Sequence, residues 1–571
     1  MKKNVFLALS IVLSLVLFSC NKNLKPLDSS YFTTNPNPLE VKGGKVDADI
    51  TGTFPVKYFS KKAVVTVTPI LVANADPNKK WASESKVFQG EKVVGNDQTI
   101  QYKAGGTYNM KASFNYDPDM IQSALYLIFD VVVGKKSYSL PMVKLADGVI
   151  ATSETADRYM SGANGPVIIP DKFQRIIQET QEASIKFLIQ QSNLRPSETK
   201  SEEMVSLTQK IKAVKDVTNE EISGFEVSGY ASPDGSLALN TNLAERRQKV
   251  TVDFVNTELK KIKSQVKIDS KFTAEDWDGF QALMEKSNIQ DKATILRVLS
   301  MYTDPEQRER EIKNISAAYK SIADEILPEL RRSRLKLTVD VIGKSDSEIL
   351  SFLSTDPQKL SLEELLYAAT LVQTADEKSD IYMRIMEMHP NDMRAYNNLG
   401  VQQYEKGAVV DALKSFERAL AVNAANPDAN YNAGLGNLAL GNLAKASEHL
   451  GKAAGTIGNL GNALGTVFTL QGNYSRATTS FGSNYTNNAA LIQILNGDYR
   501  SASNILNNVA NPDGYTSYLA AIIGARTNDT EAVVTNVQKA VSLDSSLKAK
   551  ILKDIEFAKY VTNSSFLSLL K

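Results

Sequence analysis

At 571 residues the chain is long enough for about three or four domains of ordinary size. Hydrophobic residues make up 43% and charged residues 23%, a globular balance that argues against wholesale disorder. Lys plus Arg number 65 against 64 Asp plus Glu, a net +1, so there is no basic field for a phosphate backbone and no nucleic-acid partner is expected. One Cys and two His are too few for a zinc finger or an iron–sulfur cluster, and neither a metal nor a cofactor is expected.

Lys2 and Lys3 precede an apolar run from Val5 to Phe18. That run is shorter than the ~20 residues a membrane-spanning helix needs, and it fits the hydrophobic region of a secretory signal over residues 1–19. The only Cys, Cys20, follows directly in Leu17-Phe18-Ser19-Cys20. A small residue before a Cys at this place resembles the bacterial lipobox. The resemblance implies that Cys20 is acylated and becomes the first residue of the mature protein; each buried CH₂ of such chains contributes about 0.8 kcal/mol to membrane binding. The expected location is the outer membrane, lipid-anchored and facing the periplasm, because Asn21-Lys22-Asn23 lacks an acidic run. With no second thiol, stability must come from packing rather than from an internal disulfide.

Residues 20–45, rich in Asn and Pro, read as a tether. Between 46 and 150 short β-branched and aromatic runs follow, among them Ala63–Thr68 and Leu125–Val133, punctuated by Gly105-Gly106 and Asp117-Pro118. This spacing predicts a β-sandwich with Trp81 packed in its core or at its edge. Residues 151–172, with Gly162, Gly165, Pro166 and Pro170, read as a second linker.

Residues 173–345 alternate strand and helix patterns, as in a layered α/β or α+β domain. Strands are expected at 184–189, 225–230, 266–268 and 335–341. Helices are expected at about 198–217 and 239–263, with a charged helical stretch near 273–330 whose Trp277 docks it onto the sheet. The run Gly229-Tyr230, Gly235, Asn240, Leu243 and Glu245-Arg246-Arg247 resembles the OmpA-like domain. Asn193-Leu194-Arg195-Pro196 and Arg331-Arg332 resemble the family's first helix start and last strand. The family binds the diaminopimelate part of peptidoglycan, clamping its charged ends between an Asp and an Arg. By resemblance, Arg247 takes the Arg position and can meet a carboxylate bidentately, while Ser232 stands where the family has Asp. Asp234, two residues on, is the candidate replacement. Asn240 completes the set or caps the helix.

From 350 to 571 helical periodicity dominates. One helix pair carries Leu399, Gly400, Gly407, Ala412, Phe416 and Ala419. The next carries Ala433, Gly434, Gly441, Ala446, Leu450 and Ala453, each 34 residues later. A third set, Gly465, Gly472, Ala477 and Phe481, follows, then a shorter one with Gly497, Ala502 and Leu506. Small residues let paired helices approach, Phe416 and its equivalents fill the groove between hairpins, and the turn glycines supply positive φ. This resembles tetratricopeptide (TPR) repeats, which have this period, and implies a solenoid whose concave face binds proteins or peptides. Gly434-Leu435-Gly436 stays in phase with the repeat and follows no strand, so it is no dinucleotide fingerprint. His389 and His449 have no partner at metal-ligand spacing.

The expected fold is thus a multidomain α+β chain: β-sandwich, OmpA-like α/β domain, all-α TPR-type solenoid. No nucleophile–base pair or phosphate loop emerges, so no enzyme activity is expected. The expected role is a lipid-anchored envelope scaffold that docks partner proteins on the solenoid and contacts peptidoglycan. The alternative is a subunit of an outer-membrane assembly or secretion complex that does not bind the wall.

Overall fold

The computed structural model describes residues 25–571. The signal segment and Cys20 lie outside the described residues. Two compact units emerge. The first contains the chain up to Pro170 together with Gln373–Lys571, and the second is Asp171–Val372. The second unit is therefore inserted within the first.

Two sheets open the first unit. In one, the central strand Lys45–Phe54 pairs with Phe32–Asn35 and Leu39–Lys42 on one side and with Gly106–Asn115 on the other. In the other, Ala63–Ala73 pairs with Ser123–Val133, which pairs in turn with the edge strand Lys136–Asp147. Alternation fixes the inward face. Val46, Ala48 and Ile50 of one sheet are buried against Val65, Val67, Leu127 and Phe129 of the other. Phe54, Phe59, Phe88 and Tyr108 close one end, with ring centroids 4.4–5.5 Å apart. Trp81 lies half-buried on the short strand Lys80–Ala82, beneath the Lys79 ammonium at 5.2 Å.

The tether expected over 20–45 is corrected from Phe32 onward. Residues 32–35 and 39–42 are strands because Phe32, and Leu39 and Val41 in alternation, are buried in the sandwich core. Asn and Pro in this stretch mark the turn between two strands rather than a free segment.

In the rest of the first unit, helix Ala375–Met388 precedes the hairpins Met393–Glu405/Val409–Val422, Pro427–Ala439/Leu443–Gly451, Leu460–Leu470/Tyr474–Phe481, Asn487–Leu495/Tyr499–Asn507 and Gly514–Arg526/Thr530–Leu543. The repeat residues sit where the pattern places them: Ala412, Phe416, Ala419, Ala446, Ala453 and Ala477 are fully buried, and Leu399 and Phe481 nearly so. A methyl group at Gly400 would lie 2.6 Å from the Phe416 ring, and one at Gly465 2.7 Å from Phe481. The turn glycines Gly407, Gly441 and Gly472 have φ of +79°, +78° and +74°. This is a TPR-type helical stack.

The second unit is a four-stranded sheet in the order Ile176–Lys186, Arg332–Ile342, Glu220–Tyr230, Ile268–Thr273, with only the last pair parallel. Helices Glu202–Val214 and Leu237–Lys261 cover one face through Met204, Leu207, Ile211, Val255 and Leu259. The stretch between Trp277 and Leu330 is helical and has its own core around Phe280, Met284, Ile295 and Leu299. Trp277 packs inside that core, edge-on to Phe280 at 5.6 Å, rather than against the sheet. The neighbouring Asp276–Arg332 ion pair, at 3.0 Å, ties the insertion to the last strand instead. Helices Asp346–Thr355 and Leu362–Leu371 also belong to this unit, so the solenoid begins later than the expected residue 350. Phe173 stacks on Tyr367 at 4.4 Å and Lys344 pairs with Glu364 at 3.0 Å, which holds them there.

Gly465→Ala forces a methyl into the Phe481 ring, and overpacking of this kind costs about 1–3 kcal/mol. The expected result is a lower urea midpoint at unchanged slope, measured by ellipticity.

Candidate functional site

The strand Glu220–Tyr230 ends in the loop Ala231–Gly235, and the helix Leu237–Lys261 follows directly after Ser236, whose side chain makes no capping bond. This brings Ser232, Asp234, Asn240 and Arg247 close together, but not as a clamp. Arg247 is 1% exposed. Its Nε donates to the Gln191 carbonyl at 3.0 Å, Nη1 to the Tyr230 carbonyl at 2.9 Å and Nη2 to the Leu188 carbonyl at 3.3 Å. The Phe187 ring lies 5.3 Å below the guanidinium. Burial pushes Arg247 down to about 10; the nearby Arg331 adds to that, and Asp234 opposes it.

Asp234 takes a different cation. Its Oδ2 accepts from Arg331 Nη2 at 3.0 Å, and its Oδ1 accepts from the Ser232 hydroxyl, whose oxygen also accepts from Arg331 Nε at 3.2 Å. Ser232 is 4% exposed. Between this loop and the insertion residues Trp277, Phe280, Ile312 and Tyr319 the cavity is about 10 Å³, room for no more than about one water molecule and not for a peptide ligand. Asn240 is not a cap; it lies inside the helix and its Nδ2 donates to the Gly235 carbonyl at 2.9 Å, which rigidifies the loop. The four residues thus form a closed polar cluster with no open donor fork for a carboxylate.

On the opposite face of the same sheet lies an open cavity of about 1020 Å³ lined by Tyr230, Lys271, Arg332 and Arg334. Two of its cations are already paired, Arg332 with Asp276 at 3.0 Å and Arg334 with Glu182 at 3.3 Å. Among the described residues no group of three or more His, Cys, Asp or Glu is placed to hold a metal ion.

In the first unit the presumed linker 151–172 is where chemistry concentrates. Residues 152–169 lie against the first helices of the hairpins. Asn488 accepts from the Asp157 amide at 2.9 Å and donates to the Asp157 carbonyl at 2.8 Å. Asn432 does the same to Val167, at 2.8 Å in both directions. Asn398 grips Ile169 at 2.9 Å in both directions. Asn397 adds a bond to the Val167 carbonyl at 3.1 Å, and the Tyr431 hydroxyl donates to the Asn164 carbonyl at 2.9 Å. All four asparagines are buried. Asparagine is a poor helix former because its amide competes for the main chain, so its recurrence inside these helices reflects the partner it holds. Each bidentate grip satisfies a main-chain N–H and C=O that would otherwise be buried without partners.

The expected concave binding face is therefore occupied by the chain itself. The near end is locked more firmly: Thr152 donates to Glu556 at 2.5 Å, and Glu556 pairs with Arg526 at 2.6 Å, with Glu556 buried. Ser153 donates to the Val41 carbonyl at 2.8 Å, joining sandwich and solenoid. Met160 is buried, and Tyr159 stacks on Tyr404 at 4.7 Å while its hydroxyl donates to the Tyr404 carbonyl. A sequence signal for this ladder exists: Asn398, Asn432 and Asn488 each precede a turn glycine, Gly407, Gly441 and Gly497, at the same distance.

No family model and no curated protein sequence matches the chain. Among solved structures it is similar to a tetratricopeptide repeat protein from Parabacteroides merdae ATCC 43184, at 16% identity over 37% of this chain and 91% of that one, TM-score 0.30. It is also similar to YrrB, described as a TPR protein with an unusual peptide-binding site, at 19% identity over 30% of this chain and 98% of that one, TM-score 0.25. A third is PilW, a widely conserved type IV pilus biogenesis factor, at 13% identity over 40% and 96%, TM-score 0.27. The repeat assignment rests on the helix-pair geometry given above.

Two outcomes follow from these contacts. Glu556→Ala leaves Arg526 buried without its carboxylate, and breaking such a pair costs about 3–5 kcal/mol, read as a loss in the urea midpoint. Burial raises the hydroxyls of Tyr404, Tyr431 and Tyr515 well above their ordinary value of 10.0. The unfolded chain then releases protons that the folded one keeps, so stability is held below about pH 10 and falls as pH rises beyond it. Denaturant midpoints measured between pH 7 and 11.5 check this.

Proposed function

We propose that the protein is a non-enzymatic, polypeptide-docking scaffold of the bacterial envelope, anchored to the outer membrane through acylated Cys20 and facing the periplasm. The observation that carries the docking role is the asparagine ladder. Asn398, Asn432 and Asn488 read only the main-chain N–H and C=O of an extended segment, which is polypeptide recognition independent of side-chain sequence. The anchor rests on Lys2, Lys3, the apolar run and the lone Cys20; among the described residues no helix is long and apolar enough to cross a membrane.

A second observation weighs on the side of one of the two envelope readings. In the module that resembles the OmpA-like domain, Arg247 is buried with each of its three nitrogens donating to a carbonyl, and Asp234 is bound to Arg331. The wall-binding reading needs both charges open to the ligand, so we favour a scaffold or assembly subunit that does not hold peptidoglycan through residues 232–247.

The full-length protein in detergent is expected to stay in the supernatant when purified sacculi are pelleted. Pelleting that is competed by a diaminopimelate-containing peptide would overturn the non-wall reading. Radioactive palmitate is expected to label the wild type and not Cys20→Ser; an unlabelled wild type removes the anchor.

A further inference from the structure

The segment 152–170 is held by two different kinds of contact. Its first part is anchored through side chains. Thr152, Ser153, Ala156 and Met160 are buried, and Thr152 closes on the Arg526–Glu556 pair. Its second part is held chiefly by hydrogen bonds to its main chain, with Asn164 Oδ1 accepting from Asn459 Nδ2 at 2.9 Å and Val167 and Ile169 packed half-buried against the helices. Ser161, Gly162 and Ala163 are exposed, Ile168 is 36% exposed, and no large side chain from 161 to 169 is fully buried. The groove reaches these residues with Asn397, Asn398, Asn432 and Tyr431, all of which contact backbone atoms.

That difference has a thermodynamic consequence. Release of 152–160 exposes the buried Ala156 and Met160 and takes the Thr152 hydroxyl away from the buried Glu556. Release of 161–169 exchanges hydrogen bonds between side-chain amides and main chain for bonds to water, a change of small net cost per bond. Because Asn397, Asn398, Asn432 and Tyr431 all bond main-chain atoms, an incoming extended peptide with apolar residues in place of Val167 and Ile169 regains those bonds and that packing. Pro166 and Pro170 lack an N–H, so they leave the alternate residues Val167 and Ile169 as the ones the ladder grips.

We infer that residues 161–169 are an autoinhibitory segment, an internal competitor that fills the polypeptide-binding groove until an extended segment of a partner protein displaces it, while 152–160 stays anchored. This rests on the polypeptide-docking reading above.

The test uses the full chain and, as probe, a fluorescent peptide of this protein's residues 161–171. Val167→Pro combined with Ile169→Pro removes the two amides that Asn432 and Asn398 accept from. The double variant is expected to bind the peptide at least roughly tenfold more tightly than wild type, and addition of Asn432→Ala is expected to abolish that gain. Equal tight binding by wild type and variant overturns the competitor role and leaves the docking reading standing. No binding by a variant that still melts cooperatively overturns both. Amide exchange on the wild type decides independently if the variant does not fold. The Val167 and Ile169 amides are expected to exchange through a local opening, faster than that of Asp157; exchange of all three at the rate of global unfolding would make the segment a permanent brace and sink the proposal.

Discussion

An irregular segment buried against helices carries main-chain donors and acceptors that no secondary structure satisfies. The first unit depends on how that demand is met. Helical residues supply the partners: the amides of Asn398, Asn432 and Asn488 turn toward Ile169, Val167 and Asp157 and act as a strand edge would. The strap in turn joins the sandwich to the solenoid, because Ser153 reaches the Val41 carbonyl and Thr152 reaches Glu556. Sandwich and repeats, separated by about two hundred residues of sequence, thus form one unit.

The second unit shows the opposite treatment of polar groups. A guanidinium that an open site would direct at a ligand is turned inward and satisfied by carbonyls of Leu188, Gln191 and Tyr230. Asp234 is bound to Arg331 and to the Ser232 hydroxyl. The insertion residues Ile312 and Tyr319 lie over the same loop. An inward guanidinium, a paired carboxylate and a helical cover together make this loop a packed joint.

Much of this architecture was legible in the residues. Gly400, Phe416 and their equivalents specify close helix pairs because volume and φ are local properties that a period reveals. The strand patterns of 63–68, 125–133 and 225–230 were equally plain. The strap was not legible, because Gly162, Gly165, Pro166 and Pro170 signal only the lack of internal hydrogen bonding. They are silent on whether a groove elsewhere in the chain provides it. Strands 32–42 were hidden for a related reason, since Asn and Pro at the turn outweighed the few alternating apolar residues. In the sheet unit Ser232, Asp234 and Arg247 could be picked out as candidates for one site, but which cation Asp234 pairs with depended on Arg331, far away in sequence.

The insertion of one unit inside the other has a practical corollary for dissecting the protein. A fragment cut to begin at Gln373 would keep the helices and their amides but lose the segment that lies across them. Its asparagine amides would then face solvent without the main-chain partners they hold in the intact chain. Companions fished out with such a fragment would report on the missing strap rather than on the physiology of the intact molecule.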